Sequence, residues 1–187
     1  TSDYYNNEDA MYINIYRRGH GDASLDMIGT AMNMEIPMNG KTSFYSFGTF
    51  NHKSSDAFAF TRNWSARPDR FPTDGSGNLI LVSSIMKTSS DGEIYYSPHI
   101  QTKINDLSFA AGFKGNVKGW NWDLSNTLGR NNFHFYGDKT FNASKGANQT
   151  HFDDGGFNLL QNTINLNFSK AINDKFNFAT GLEARFE

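Results

Sequence analysis

The feature that most constrains this chain is a strict alternation of large apolar residues with small or polar ones across residues 106–187. Successive side chains of a β-strand point to opposite faces, so this pattern predicts strands with one apolar and one polar face. The alternation recurs in four runs: 107–114, 120–129, 160–169 and 176–186. In the clearest of them, one face carries Phe176, Phe178, Leu182, Ala184 and Phe186.

The connections between these strands distinguish two environments for the apolar face. A soluble β-sandwich buries that face against a second sheet, whereas an outer-membrane barrel turns it towards lipid. Tight turns are predicted at 115–119 and 171–175, and a long polar segment at 131–158 separates the two hairpins. Short turns at one end of the strands and long loops at the other are typical of outer-membrane barrels.

A further hairpin is predicted nearer the start of the chain. A strand at 23–36 leads through a turn at 37–41 into a partner strand at 42–52, and the Asn39-Gly40 pair suits the positive φ angles of such a turn. The partner strand has no clear polarity, because aromatic residues occur at both parities: Phe44 and Phe50 on one face, Tyr45 and Phe47 on the other.

The remaining segments are predicted to be loops. Residues 1–22 are polar, with a short strand expected at 11–16. Residues 53–105 are expected to form a long extracellular loop with local order near 79–86, since connections of this length are usually functional or disordered.

The pattern therefore predicts an all-β fold: an antiparallel, up-and-down segment of a transmembrane β-barrel with about six strands in three hairpins. Its short turns would be periplasmic and its long loops extracellular. We expect residues 1–187 to form one partial barrel domain with cut ends, because six strands leave unpaired edges that lipid does not tolerate. Aromatic girdles are then expected at both interfaces, from Trp120, Trp122, Phe176 and Phe178 at one and Phe50, Phe133, Phe135 and Phe186 at the other.

Composition narrows the class of partner. The aromatic fraction of 15%, with 17 Phe, suits a half-polar sheet better than a helical bundle. A net charge of −2 without a basic block argues against nucleic acid. The absence of cysteine excludes disulfides and thiolate metal sites.

Several stretches of the chain together resemble the barrel of TonB-dependent outer-membrane receptors. These stretches are Phe44-Tyr-Ser-Phe-Gly-Thr-Phe50, Leu107-Ser-Phe-Ala-Ala-Gly-Phe-Lys-Gly115, Gly119-Trp-Asn-Trp-Asp-Leu-Ser125, Asn142-Ala-Ser144, Phe152-Asp-Asp-Gly-Gly156 and Gly181-Leu-Glu-Ala-Arg185. The resemblance covers most of residues 23–187.

The resemblance implies a receptor in the bacterial outer membrane that takes up a scarce nutrient, such as a metal chelate, cobalamin or a glycan. Uptake in that family is driven by the TonB system, which contacts an N-terminal plug domain. No plug is recognisable in this sequence, so the chain is expected to supply part of the barrel, with membrane lipid and a small nutrient as its direct partners. No enzymatic activity and no cofactor are expected.

One loop combines cationic and aromatic residues that suit ligand binding. Guanidinium groups bind carboxylates or phosphates, and aromatic rings bind sugars or siderophore rings. Charge in outer loops also serves contact with lipopolysaccharide and water, which is the plainer interpretation. The substrate-binding residues predicted on this basis are Arg62, Trp64, Arg67 and Arg70.

No motif indicates a metal site or a catalytic site. The five histidines (His20, His52, His99, His134 and His151) are scattered and show no ligand spacing. Asp153-Asp154-Gly155-Gly156 lacks the spacing of a calcium loop and is predicted to be a turn. On the polar face, Asp123, Glu183 and Arg185 are expected to pair across strands or to line the cavity for the plug.

Two other functions fit parts of the pattern. A soluble β-sandwich could bind carbohydrate through loop aromatics and would fold as a monomer without detergent. An outer-membrane enzyme would need a nucleophile and a base, and no Gly-x-Ser-x-Gly motif is present. One detail conflicts with the barrel: Asn126 and Asn162 fall on the apolar face, where an unbonded amide is costly. They are expected to lie near an interface or at a bulge.

Overall fold

The structure is a computed structural model, and it describes residues 20–142 and 144–187. The predicted strand at 11–16 lies outside the described residues. Within them the fold is all-β, with one 3-10 turn at Pro68–Arg70. None of the helical structure described there has the length and apolar character needed to cross a bilayer. The strands are β1 (Ala23–Asn39), β2 (Thr42–Phe58), β3 (Arg62–Asn63), β4 (Lys87–Thr88), β5 (Ile94–Tyr96), β6 (His99–Val117), β7 (Trp120–Asp138), β8 (Phe152–Asn173) and β9 (Phe176–Phe186).

Six of these strands form one antiparallel sheet in the order β1-β2-β6-β7-β8-β9. The three hairpins predicted from the sequence are confirmed, and the residues between their strands are 40–41, 118–119 and 174–175. Lys118 and Gly119 have φ angles of 52° and 80°, as the tight turns that suit twisted hairpins require. In the described residues the sheet is open, with β1 and β9 at its edges.

The strands are longer than predicted, and the long connections are correspondingly shorter. The loops predicted at 53–105 and 131–158 are wrong in their bounds, because β2 continues to Phe58, β6 starts at His99, β7 continues to Asp138 and β8 starts at Phe152. Beyond residue 52 both faces of β2 carry polar side chains, which bond to the neighbouring strand. Apolar alternation is therefore lost there although the strand continues.

The chain divides into two compact units. We call residues 27–53, 103–133 and 156–187 the sheet unit. Among the described residues, the loop unit contains residues 20–26, 54–102 and 134–155. Strands β1, β2, β6, β7 and β8 each contribute residues to both units.

The loop unit has a buried core and a small sheet of its own, in the order β3-β5-β4. Phe71, Met86 and Tyr96 are at most 6% exposed, and Phe71 packs edge-on against Tyr96 with ring centroids 4.9 Å apart. Strand β5 pairs with both neighbours, matching Arg62 with Tyr96 and Lys87 with Tyr95. The order predicted near 79–86 therefore extends over much of the segment 59–98.

Candidate functional site

The sheet unit exposes one continuous apolar face, which we call the apolar band. Ring and glycine contacts align the strands: Phe44 of β2 packs on Phe113 of β6 at 5.2 Å, and a Cβ on Gly115 would lie 2.9 Å from the Trp122 indole nitrogen. Register pairs Leu166 with Leu182 across β8 and β9. The exposed members of the band include Ile28, Met32, Met34, Ile36, Met38, Phe50, Leu107, Phe109, Phe113, Leu124, Leu160, Ile164, Phe168, Phe176, Phe178, Leu182 and Phe186.

The structure resolves the polarity of β2 that the sequence left open. Phe44 lies on the apolar band beside Phe113, whereas the hydroxyl of Tyr45 donates to Asp123 at 2.9 Å on the opposite face. A Cβ on Gly48 would come within 3.2 Å of the Phe109 ring, so this glycine lets Phe109 lie flat over β2. Even-numbered residues of β2 therefore face the band up to Phe50.

The apolar band ends where polar pairs begin on the same strands. His52 Nδ1 lies 2.7 Å from Asn105 Oδ1, directly after the last aromatic residue of the band on β2. Arg130 Nε donates to Asn158 Oδ1 at 3.4 Å at the corresponding end of β7 and β8. From the hairpin turns to these pairs the band is about 10 residues long, which is the length of a strand that crosses a bilayer.

The two asparagines on the apolar band bond to each other. Asn126 Nδ2 donates to Asn162 Oδ1 at 2.9 Å, and Asn162 Nδ2 donates back to Asn126 Oδ1 at 3.1 Å. Each amide offers a donor and an acceptor, so the reciprocal pair satisfies one of each without water. The cost of an unbonded amide on the apolar face therefore does not arise, because each amide bonds to the other across the two strands.

Near the hairpin turns the band carries a cationic and aromatic cluster. The Trp120 and Phe178 rings meet edge-on at 6.2 Å, and the ammonium of Lys170 lies 5.5 Å from the centroid of the Trp120 ring. A lysine that covers apolar surface with its stem and keeps its charge at the end is typical of a boundary between water and an apolar phase. Trp120 and Phe178 were predicted to lie at such a boundary.

The opposite face of the sheet unit carries bonded polar side chains. Lys114 forms an ion pair with Glu35 at 2.9 Å and lies 5.6 Å from the Tyr45 ring centroid. Tyr45 reaches Asp123 over Gly112, where a Cβ would come within 2.8 Å of the tyrosine. Asp123 therefore pairs across strands, as predicted. Of the other two residues predicted there, Arg185 pairs with Glu183 of its own strand at 2.9 Å.

In the loop unit, two of the four predicted substrate-binding residues meet at one carboxylate. Arg67 donates through Nε and Nη2 to both oxygens of Asp69 at 3.0 Å, and Arg70 Nε lies 3.1 Å from the same group. The hydrogen bond from Arg67 lowers the pKa of Asp69, and the same bond raises the pKa of Arg67. Asp69 thus offsets one of the two positive charges and holds both guanidinium groups.

The other two predicted residues have structural contacts. The Trp64 ring meets Phe71 edge-on at 5.5 Å and packs on the buried core of the loop unit. The guanidinium of Arg62 lies 5.6 Å from the Phe60 ring centroid, and Arg62 itself belongs to β3. The sequence alone does not distinguish binding from packing for these two residues, because an aromatic residue close to arginines suits both roles.

Arg70 and Asp69 border a cleft of about 390 Å³ in the loop unit. Tyr96 supports it: the tyrosine hydroxyl donates to the Arg70 carbonyl oxygen at 2.8 Å, and the Tyr96 ring packs on Phe141 at 5.0 Å. Burial raises the pKa of Tyr96, so its hydroxyl remains a donor throughout the ordinary pH range. The remaining lining residues are Gly137, Thr140, Asn142, Phe152 and Asp154.

Three histidines that looked isolated in the sequence are paired with aspartates in the loop unit. The nitrogen–oxygen distances are 2.5 Å for His99 with Asp56, 2.6 Å for His134 with Asp153 and 3.4 Å for His151 with Asp138. Gln101 links two of these pairs by donating to Asp56 at 2.9 Å and to Asp138 at 3.3 Å. The register between strands brings these partners together, and their spacing in the sequence does not indicate the pairing.

The turn predicted at Asp153-Asp154-Gly155-Gly156 is wrong, because these residues lie within strand β8 (Phe152–Asn173). Asp153 accepts from the backbone N–H of Gly155 at 2.8 Å, and Gly155 has a φ angle of 78°. This backbone bond, followed by the hydrogen bond from His134, lowers the pKa of Asp153. Throughout residues 20–142 and 144–187, no cluster of three or more histidine and carboxylate side chains has the arrangement of a metal site.

Comparison with protein-family models, with curated proteins and with solved structures found no match to this chain.

Proposed function

We propose that this chain forms part of the barrel of a TonB-dependent receptor that takes up a scarce nutrient across the bacterial outer membrane. The observation that carries the proposal is the apolar band, whose large side chains are solvent-exposed while the opposite face of the same sheet is polar and internally paired. Leu182 of the band is 74% exposed and Ile28 of the band is 63% exposed. Continuous apolar patches of this kind mark surfaces that meet a partner or a membrane.

Lipid is the partner that fits the dimensions of the band. A strand that crosses a bilayer needs about 10 residues with apolar side chains on one face. The polar pairs His52–Asn105 and Arg130–Asn158 end the band at this length, and the Trp120–Lys170 cluster supplies an interfacial anchor near the turns. Hydrocarbon removes the cost of exposing such a face, and self-bonded asparagines satisfy their amides there.

The open edges fit the same proposal. Strands β1 and β9 end the sheet in the described residues, so their outer N–H and C=O groups lack strand partners in that part of the structure. In lipid such groups need hydrogen bonds. We therefore propose that further strands pair with both edges in a closed barrel, and that a plug domain couples the barrel to the TonB system.

Nutrient recognition is assigned in this proposal to the loop unit, which is outside the apolar band. Among the predicted residues Arg70 is the strongest candidate for ligand contact, because it borders the cleft that also contains Asp69 and Asp154. Arg67 would hold Asp69 in place, and Trp64 would support the core beneath. Arg62 remains a candidate through its position on β3.

The alternative of a soluble carbohydrate-binding sandwich requires a second sheet against the apolar face. No such sheet covers that face in the described residues, and the small sheet β3-β5-β4 belongs to the loop unit. A specific observation in favour of the sandwich is therefore lacking.

Single cysteines with an environment-sensitive fluorophore would test the proposal, since the chain has no cysteine of its own. The matched pairs are Leu124→Cys with Ser125→Cys, and Phe168→Cys with Ser169→Cys, in protein folded into phosphatidylcholine vesicles. Brominated lipid should quench the probe at 124 and 168 and leave the probe at 125 and 169 largely unquenched. Equal quenching within each pair, or a soluble monomer in which position 124 is shielded without detergent, would overturn the proposal.

A further inference from the structure

A second cleft of the loop unit, of about 550 Å³, lies among the strand ends and the small sheet. Phe58 and Ile85 are its apolar side chains, and most of the other side chains around it carry a hydroxyl or a positive charge. The lining residues are Phe58, Ser84, Ile85, Lys87, Ser89, Ser90, Tyr95, Ser97, His99 and Lys139. The cleft shares none of these residues with the cleft at Arg70.

Two lysines give this cleft its charge. Lys87 lies on β4 opposite Tyr95, and Lys139 follows the last residue of β7. In the described part of the chain neither ammonium forms an ion pair within 4.0 Å. Lys139 also adopts a φ angle of 48°, a conformation that favours glycine or asparagine.

Three carboxylates of the loop unit accept hydrogen bonds from groups other than these lysines. Asp56 accepts from His99 and from Gln101, and Asp91 accepts a short hydrogen bond from Ser89. Glu93 accepts from the Ser65 backbone N–H at 2.9 Å. Lys139 does attract the Asp56 charge, but both oxygens of that carboxylate have other donors. The cleft therefore presents cationic side chains whose neighbouring carboxylates are committed elsewhere.

His99 adds a fixed ring at the base of the cleft. Its side chain is 8% exposed, and its Nδ1 lies 2.5 Å from Asp56. A neutral imidazole whose Nδ1–H donates to a carboxylate carries its lone pair on Nε2, and the protonated ring donates from both nitrogens.

We propose that this cleft binds the oxyanion of a ligand (a carboxylate, a sulfate or a phosphate ester) between Lys87 and Lys139. Ammonium groups form strong charge-assisted hydrogen bonds with such oxygens, and the hydroxyls of Ser84 and Ser90 supply additional donors at the rim. The volume suits a small polar molecule such as an acidic or phosphorylated sugar. This inference names a ligand class for the receptor proposed above and in that sense rests on it.

Isothermal titration calorimetry on the chain in detergent would test this, with glucuronate and glucose 6-phosphate as probes and glucose as the neutral comparison. Both anions are expected to bind saturably, and glucose is not. Lys87→Met and Lys139→Met should each weaken anion binding about 10-fold, the factor that corresponds to one lost charge-assisted contact. Lys145→Met is the matched control: it removes the same charge from an exposed loop-unit lysine that bonds Gln149 instead.

A lipid headgroup could supply the same chemistry as a soluble ligand, so the two sources are measured separately. Cosedimentation with phosphatidylglycerol vesicles, compared with phosphatidylcholine vesicles, should show no dependence on Lys87 or Lys139 if the ligand is soluble. Dependence on both lysines for vesicles, with no binding of the free anions, would identify the oxyanion as a headgroup. The proposal is overturned if neither form binds, or if Lys145→Met weakens binding as much as the cleft variants do. Fluorophore quenching at positions 124 and 168 reports on lipid exposure in the same variants, so either proposal can fail alone.

Discussion

The loop unit and the sheet unit place their apolar side chains in opposite ways. In the loop unit Phe71 and Tyr96 are each 2% exposed and form a packed centre. In the sheet unit Leu182 and Phe186 are 74% and 61% exposed, and the ion pairs Lys114–Glu35 and Arg185–Glu183 lie on the other face. One unit of the chain therefore buries its apolar side chains in a core, and the other exposes them on one face of a sheet.

This difference shows that stability in the two units has different sources. A buried aromatic ring in the loop unit is stabilised by removal from water and by close packing. The sheet unit gains little in this way from its exposed face, so its strands depend on backbone pairing and, on the proposal above, on contact with lipid. Substitutions should consequently act by different rules in the two units.

The largest expected effect is on the core of the loop unit. Phe71→Ala removes a ring that touches both Trp64 and Tyr96, and substitutions of this kind cost about 3–5 kcal/mol. Hydrogen–deuterium exchange should show loss of protection in β3 and β5, with β6 residues 107–117 unchanged. Leu81→Ala is the control, because Leu81 is 65% exposed in the same unit. Equal loss of protection in the sheet unit would show that the two units unfold as one.

In the sheet unit the informative substitution places a charge on the exposed apolar band. Leu124→Arg should lower the free energy of unfolding in lipid by about 2–4 kcal/mol, the cost of a cation near the bilayer midplane. Thr127→Arg, on the opposite face of β7, and Leu81→Arg in the loop unit should each change it by less than about 1 kcal/mol. Denaturant titrations in vesicles measure all three. A cost for Leu124→Arg no greater than for Thr127→Arg would contradict lipid exposure.

The sequence predicts the apolar face of a strand where one face is apolar and the other polar, and it does not where both faces are polar. Alternation identified the band residues of β6 to β9 correctly, because large apolar residues recur on one face of each of these strands. It failed beyond His52, where both faces of β2 are polar and Asp56 bonds to β6. The polarity of β2 also stayed open, because Tyr45 is an aromatic residue used for a hydrogen bond and not for apolar contact.

Some residues of the candidate site were recognisable from the sequence, and others were not. Arg67 and Arg70 were recognisable as a cationic pair, but their shared partner Asp69 was not singled out, although it lies within three residues of both. The His99–Asp56 pair joins residues 43 positions apart, so it depends on the register between β2 and β6. Register is set by the whole sheet, and a single sequence specifies it weakly where both faces are polar.

The asparagine pair gives a smaller effect that also depends on the environment. Asn126→Leu leaves the Asn162 amide without its partner, at a cost of about 1–3 kcal/mol in a medium without water. The double variant Asn126→Leu with Asn162→Leu should recover most of this loss, since both polar groups are then removed together. Denaturant titration of the four proteins in vesicles forms a double-mutant cycle. A coupling energy near zero in lipid would mean that water reaches this part of β7 and β8.

The smallest expected effect is a pH dependence confined to the loop unit. The pKa of Asp153 is lowered by the Gly155 backbone bond and by His134, and the pKa of Asp69 is lowered by Arg67. A carboxyl group with a depressed pKa in the folded state stabilises that state above its unfolded pKa of about 3.9, and the contribution disappears as the pH falls through the folded value. Exchange protection of β3 and β5 should therefore decrease between about pH 4 and pH 2, and Asp69→Asn should reduce that decrease. Both groups are exposed, so solvent screening keeps the effect small. Protection of residues 107–117 should not change over the same range, because on the proposal above their stability comes from strand pairing within lipid. A parallel decrease there would show that the two units lose stability together.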